Sequence, residues 1–269
     1  MRENGLKENV VVLTGASSGI GCELAFQLAV QGAWLALAAR NAEELDQVAT
    51  HCREIGGRVI AVPTDVTDRQ QVEAMVGAAA AEYGRIDTLI NNAGISMWTY
   101  FEDVEELAII EKIMQVNYMG SVNCTYYALP YLKASQGRLV AVSSLAGKTG
   151  VPTRSGYAAS KHAMVGFFDS LRIELQKDRV SVTLIYPGFV PTQIRIRALT
   201  GSGEALGVEP VQTDKAMSAV ECARLIVPAV ANRKRELIMT ARGKIGQYVK
   251  LLAPRLVDQV ARRAIEKGR

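Results

Sequence analysis

The chain has 269 residues, 49% of them hydrophobic and 22% charged, with a formal net charge of +4. This is ordinary globular usage: it argues against disorder, and the length suits one sizeable core. No segment approaches the ~18 consecutive apolar residues of a membrane-spanning helix.

The polar stretch Met1–Asn9 has no signal-peptide pattern. Cys22, Cys52, Cys124 and Cys222 are scattered, with no CxxC pair and no histidine cluster. A cytoplasmic, reduced protein without structural zinc or another metal is the expectation. The charge is uneven. Residues 233–269 hold eleven Lys/Arg against three Asp/Glu, a balance of +8, so residues 1–232 carry −4. A nucleic-acid binder would show its basic face, with aromatics, in the body of the fold. Here the basicity is a C-terminal appendix, and no nucleic-acid partner is expected.

In chain order, Val10–Leu13 reads as a first strand and Gly19–Gln31 as a helix through Leu24, Ala25 and Leu28. Trp34–Ala39 is strand-like, Ala42–Ile55 amphipathic and helical, Arg58–Val62 a third strand, and the region Gln70–Tyr83 a helix. Further strands are expected at Asp87–Asn91, Leu139–Ser143, Val180–Ile185 and Glu236–Met239, with a long helix over Tyr157–Gln176. Continuous apolar strands alternating with helices indicate an α/β fold, a doubly wound parallel sheet of about seven strands with helices on both faces. No repeat or linker interrupts it. We expect one domain over residues 1–240, with 241–269 as a basic amphipathic extension of it. Gly201–Val211, with three glycines and a proline, is the most loop-like stretch and reads as a mobile lid.

Thr14-Gly15-Ala16-Ser17-Ser18-Gly19-Ile20-Gly21 joins the first strand to the first helix. Such a turn needs glycine where φ is positive or where backbone must approach a ligand closely. The unpaired N–H groups and partial positive charge of the new helix suit a pyrophosphate. The spacing is GxxxGxG rather than GxGxxG, and its place after the first strand is what gives it weight. No Lys-Ser/Thr follows the glycines, so a Walker-type loop is excluded. At the end of the second strand an NAD site generally places a carboxylate on the ribose hydroxyls. This chain has Ala39 and then Arg40, a guanidinium suited to a 2′-phosphate, so NADP(H) is favoured over NAD(H).

Tyr157 and Lys161 are four apart on the long helix and therefore approach a common point. A phenol titrates near ~10, and a neighbouring ammonium favours its ionised form. The pair is a candidate general acid for ketone reduction and a general base for alcohol oxidation. Ser143 and Ser144 end the fifth strand, where a hydroxyl would project into the crevice at the carboxyl edge of the sheet.

Together these motifs resemble the short-chain dehydrogenase/reductase family, in its single-domain branch, over about Val10 to Met239. They are TGASSGIG at 14–21, Asp65-Val66, Asn91-Asn92-Ala93-Gly94, Asn117, Ser143-Ser144, YAASK at 157–161, and Pro187-Gly188 with Thr192. The resemblance implies a Rossmann-type fold and the following roles. Ser144 orients the substrate and Ser143 is its non-catalytic neighbour. Tyr157 is the acid/base, and Lys161 binds the nicotinamide ribose and tunes the tyrosine. Asn117, in the helix before the fifth strand, holds a water in the proton relay. Gly15, Ser17, Ser18, Gly19, Ile20 and Gly21 take the pyrophosphate end, and Asp65 and Val66 lie beside the adenine. Asn92, Ala93 and Gly94 line the cofactor, and Pro187, Gly188, Val190 and Thr192 lie near the carboxamide. Some NADP-preferring members carry a base just before the second glycine, where this chain has Ser18. Arg40 is then the main phosphate contact.

Other residues read less specifically. His162 points about 100° from Lys161 on a helix and reads as packed or solvated. Cys22 sits in a first helical turn, where a thiol pKa can fall, but burial is the simpler reading. Trp98, Tyr100 and Phe101 are either pocket lining or loop anchors. The appendix after Met239 has apolar stripes at Ile245, Tyr248, Val249 and Leu252 and, past Pro254, at Leu256, Val257, Val260, Ala261, Ala264 and Ile265. It reads as a cover for the pocket or a subunit interface, as a peripheral contact with an anionic membrane, or as a solvated tail. The overall expectation is an NADP(H)-dependent oxidoreductase of a carbonyl or alcohol on a hydrophobic small molecule, forming a homodimer or homotetramer. The loops 95–101, 145–156 and 192–215 carry no evident charge code. A non-catalytic NADP-binding scaffold is the rival.

Overall fold

The computed structural model describes residues 5–210 and 216–266. Seven strands form one parallel sheet in the order β3-β2-β1-β4-β5-β6-β7. They are β1 (Val10–Thr14), β2 (Trp34–Ala39), β3 (Arg58–Pro63), β4 (Thr88–Asn91), β5 (Arg138–Val142), β6 (Ser181–Tyr186) and β7 (Glu236–Ile238). The helices α1 (Gly19–Val30), α2 (Ala42–Glu54) and α8 (Ala219–Ala231) share one apolar layer with the sheet. The helices α3 (Arg69–Tyr83), α5 (Gly120–Ala134) and α6 (Ser155–Glu174) share the other.

Residues along β1 alternate between the layers, Val11 and Leu13 to the first and Val10 and Val12 to the second. That two-sided burial is why its sequence is apolar throughout rather than alternating. Strand order reverses between β1 and β4, both of which lie at the centre of the sheet. The crevice outside their carboxyl ends is where an open α/β sheet receives a ligand.

Three expectations shift. β5 ends at Val142 rather than Ser143, although the Ser143 N–H still donates to the Ile185 carbonyl at 2.9 Å. The long helix begins at Ser155, two residues ahead of Tyr157. Gly201–Val211 is tied down over its described part: Leu206 N donates to Ala198 O at 2.8 Å and Gly207 N to Ile196 O at 2.9 Å, while Val211 lies outside the described residues. Those main-chain bonds, with a bridge between Leu199 and Ala205, give the stretch a fixed place that its glycine content did not suggest.

Between α4 (Ala108–Met114) and α5 the helix widens into a π turn at Gln115–Met119. This turn carries Asn117. Such widened turns re-aim one side chain out of helical register and are frequent at functional sites. Beyond β7 come α9 (Ala241–Leu252) and α10 (Pro254–Glu266), divided at Pro254 as the sequence suggested.

Candidate active site

A cleft of about 620 Å³ opens at the carboxyl ends of the central strands. Every sequence-predicted site residue lines it except Asn117, which is wholly buried behind it.

One end of the cleft is the turn from β1 to α1. Gly15 and Gly19 have φ of +64° and +56°, the left-handed region that disfavours a side chain. A Cβ on Gly21 would collide with the Gly15 carbonyl oxygen, so the first turn of α1 packs directly on the loop. Asn92 holds the loop from β4, its Nδ2 donating to the carbonyls of Thr14 and Gly15, each at 3.0 Å. The Thr14 hydroxyl in turn accepts from the backbone N–H groups of Asn92 and Ala93 at 3.0 and 3.1 Å. Ser18, the N-cap of α1, makes no side-chain capping bond, and the first turn has no acidic residue. Its N–H groups are thereby left for an anion. Glycines that admit no Cβ, facing an uncapped helix end, fit the pyrophosphate of a dinucleotide.

At the end of β2, Arg40 is exposed and makes no ion pair among the described residues. Beside it stands a second base that sequence reasoning missed. Arg197 pairs with Glu44 at 2.8 Å, and that guanidinium, with Ser17 and Asn41 adding hydrogen bonds, holds the Glu44 carboxyl below its usual range. Asp65 is engaged locally, its Oδ1 accepting from Thr67 N at 2.9 Å and Thr67 Oγ1 at 2.8 Å. Val66 packs against Gly120, and its carbonyl accepts from Asn123.

The other half of the cleft holds the reactive groups. Tyr157 and Lys161 come from the first two turns of α6, and Ser144 from the turn after β5. The two serines diverge. Ser143 Oγ donates into the backbone of α6, to Lys161 O at 3.3 Å. Ser144 Oγ accepts from Ala146 N at 3.1 Å, and its hydroxyl stabilises the phenolate form of Tyr157 by hydrogen bonding.

Lys161 is 3% exposed; its Nζ donates to the Val142 carbonyl at 2.9 Å and lies 5.8 Å from the Tyr157 ring centroid. Burial pulls this ammonium down to about 8. Burial also raises the Tyr157 pKa above its ordinary value; Arg154, ahead of the Ser144 hydrogen bond, opposes the rise. Loss of water dominates over the Arg154 cation and the Ser144 hydrogen bond, which favour the phenolate. The tyrosine keeps its proton at neutral pH, as a general acid requires.

Asn117 braces this region. Its Oδ1 accepts from Ile95 N at 2.8 Å, while its Nδ2 donates to Ile95 O at 3.0 Å and to Ser160 Oγ at 2.9 Å. A Cβ on Gly94 would sit 3.1 Å from Asn117 Oδ1 and 3.5 Å from Lys161 Nζ, so all three meet at one point. Phe189, Arg154, Arg195 and Lys112 complete the lining, and the sequence reading named none of them. Arg154 and Arg195 lie in loops expected to carry no charge code, and that expectation is corrected. Arg154 stands three residues before Tyr157, a spacing that signalled its approach to the same helix end.

The tempting residues take ordinary places. Exposed His162 bonds the Ala158 carbonyl through Nδ1 at 2.9 Å. Burial pushes the Cys22 thiol up to about 11. Trp98 lies against Arg154, whereas Phe101 is exposed. Among the described residues no side-chain cluster could hold a metal ion, and no helix is long and apolar enough to cross a membrane.

The family model "short chain dehydrogenase" matches residues 9–202. The chain belongs to the short-chain dehydrogenase/reductase family. Its members are oxidoreductases acting on CH–OH groups, and the fold binds a nicotinamide cofactor. The chain is 37% identical over 256 residues to 11-beta-hydroxysteroid dehydrogenase 1A of Arabidopsis thaliana, covering 93% of this chain and 73% of that one. It is 36% identical over 277 residues to dehydrogenase/reductase SDR family member 7B of Mus musculus, covering 98% and 83%. Among solved structures, a short-chain dehydrogenase/reductase from Burkholderia phymatum in complex with NAD superposes with a TM-score of 0.82 at 26% identity, over 94% of this chain and 96% of that one. Levodione reductase superposes with a TM-score of 0.76 at 27% identity, over 84% and 91%.

The short-chain dehydrogenase site carries a measurable cost. An ammonium whose pKa falls from 10.5 to about 8 on burial opposes folding below pH ~8, and the opposition fades as pH rises toward 10.5. Lys161→Met should therefore be as stable as wild type at pH 7 or more so, by up to about 1–4 kcal/mol. The gap should narrow between pH 8 and 10.5 in thermal melts, while turnover is lost at every pH. A variant with a much lower Tm at pH 7 would show the ammonium to be a structural prop.

Proposed function

We propose that this chain is an NADP(H)-dependent oxidoreductase interconverting a ketone or aldehyde and the corresponding alcohol on a largely apolar substrate. The observation that carries this reading is the convergence of the Ser144 hydroxyl, the Tyr157 phenol and the Lys161 ammonium on a cleft whose far end is the glycine turn. A bound nicotinamide supplies the hydride. The protein supplies position, charge and a proton. Ser144 and Tyr157 hold the carbonyl oxygen, and Tyr157 delivers its proton to that oxygen as negative charge develops. Lys161 keeps positive charge beneath the site, and Asn117 fixes the main chain at Ile95 and the helix at Ser160 around it. Ile95 and Leu199, clustered with Tyr157, give the substrate half apolar walls.

The preference for the 2′-phosphate rests on Arg40, seconded by Arg197, and on the absence of a carboxylate directly after β2. A scaffold without catalysis would need no such meeting of hydroxyl, phenol and ammonium.

Two experiments test the two halves of the proposal. Tyr157→Phe should bind NADPH with unchanged Kd and lose about 10²–10⁴-fold in kcat against a ketone panel. Activity near wild type would overturn the acid/base role. Arg40→Asp should raise the Kd for NADPH by about 10²-fold and leave NADH within about threefold, because a charge-assisted pair is replaced by repulsion. An equal effect on both dinucleotides would remove Arg40 from the cofactor site.

None of the described residues of α9 or α10 lines the cleft. Ile245, Tyr248, Leu251 and Leu252 are all exposed beside Lys244 and Lys250, an arrangement suited to an anionic bilayer surface. On this reading the chain co-sediments with vesicles containing phosphatidylserine but not with purely zwitterionic ones. Concentration-dependent dimerisation without vesicle binding, lost on truncation after Thr240, would instead make this face a subunit contact.

A further inference from the structure

We propose that Arg154 is an anion-recognition residue of the substrate site, and that the preferred carbonyl substrate carries a carboxylate within a few bonds of the reacting carbon. This rests on the oxidoreductase reading above and adds the substrate class.

Arg154 is 8% exposed, lines the cleft, and has Nε and Nη2 buried without a hydrogen-bond partner. Three rings clamp the guanidinium: its Cζ lies 4.7 Å from the Trp98 centroid, 5.5 Å from Phe189 and 5.8 Å from Tyr157. Rings satisfy the faces of a guanidinium by cation–π attraction and leave its edge nitrogens to a planar acceptor. Among the described residues no acid takes that position. Glu209 acts on Arg154 through space, but its carboxylate pairs with Arg195 at 2.7 Å.

Burial draws the Arg154 pKa down to about 10, so the group remains a cation at neutral pH. A buried cation without a carboxylate is costly to keep, and a ligand oxyanion would complete it. The reacting position is fixed by the Tyr157 oxygen, on the ring that also borders Arg154. An anion on the guanidinium edge is therefore a near neighbour of the reacting carbonyl, as in a 2-oxo or 3-oxo acid. The remainder of such a substrate meets Ile95 and Leu199, which pack in one apolar cluster with Tyr157 and suit an aliphatic chain.

The test compares aliphatic 2-oxo and 3-oxo acids with their methyl esters of equal chain length, each assayed with NADPH. In wild type the acid should exceed its ester in kcat/KM by about 10- to 100-fold, the worth of a charge-assisted bond. In Arg154→Met the ratio should collapse to about one, and in Arg154→Lys it should recover in part. A wild-type ratio of one or below would overturn the proposal, and so would a ratio that survives in Arg154→Met. If wild type reduces only the esters, the oxidoreductase reading stands and this one falls. If it reduces nothing, quenching of Trp98 fluorescence by the acid but not the ester in the NADPH complex still decides the matter. Trp98→Phe supplies the blank for Trp34, and equal quenching by acid and ester would overturn the proposal.

Discussion

The whole site depends on one steric constraint, the direct packing of the first turn of α1 on the Gly15 carbonyl. Because Gly21 has no side chain, helix and loop close to a distance that no Cβ admits. That closure turns the free N–H groups of α1 toward the space above β1. Asn92 then ties the same loop to the end of β4 through the Thr14 and Gly15 carbonyls. The switch point of the sheet is thus bolted on both sides, and everything placed around it inherits a fixed reference. A flexible loop here would leave the phenol and the dinucleotide end without a common frame.

A second consequence of depth is that the reactive half is dry, which changes its electrostatics. Burial lowers the Lys161 ammonium and raises the Tyr157 phenol, so each is moved toward its neutral form. The protein answers with the Arg154 charge and the Ser144 hydrogen bond on Tyr157, with Val142 O on Lys161, and with the Asn117 carboxamide bridging strand-end loop and helix. The π turn at Gln115–Met119 is part of this design, since it places Asn117 where a regular helix would not.

Much of this was legible in the sequence, for identifiable reasons. Strands buried on both faces must be apolar throughout, so all seven could be read, with ends displaced by a residue or so. The glycine loop declared itself because steric exclusion leaves no alternative residue at Gly21. Tyr157 and Lys161 were visible through helical spacing, and Ser144 through its place after a strand. Arg154 and Arg197 were not. A lone arginine in a loop resembles a solvated one, and only the tertiary fold reveals that Arg154 is enclosed by Trp98, Tyr157 and Phe189 from three separate segments. The lid reading of 201–211 rested on glycine content, and the contacts of its described part could not be read from that. Glycine content reports freedom of the backbone, not the hydrogen bonds that the surrounding chain then imposes.

The distribution of charge carries the functional argument one step further. Residues 1–232 bear a net −4, yet the cleft they form is lined by six basic residues and one acidic one. Positive charge has been gathered from Arg40, Lys112, Arg154, Lys161, Arg195 and Arg197 into one concave, partly desolvated space. Low-dielectric walls focus such a field, so the cleft attracts anions although the body around it is acidic. The cations fall into two groups. Arg40 and Arg197 stand at the end of β2, where a phosphate-bearing nucleotide would lie. Arg154 and Arg195 stand together against Phe189 on the side of Tyr157. A dinucleotide accounts for the first group. In the second, Arg195 already has Glu209, whereas Arg154 keeps Nε and Nη2 without a partner, and it is Arg154 that argues for an anionic substrate beside the cofactor.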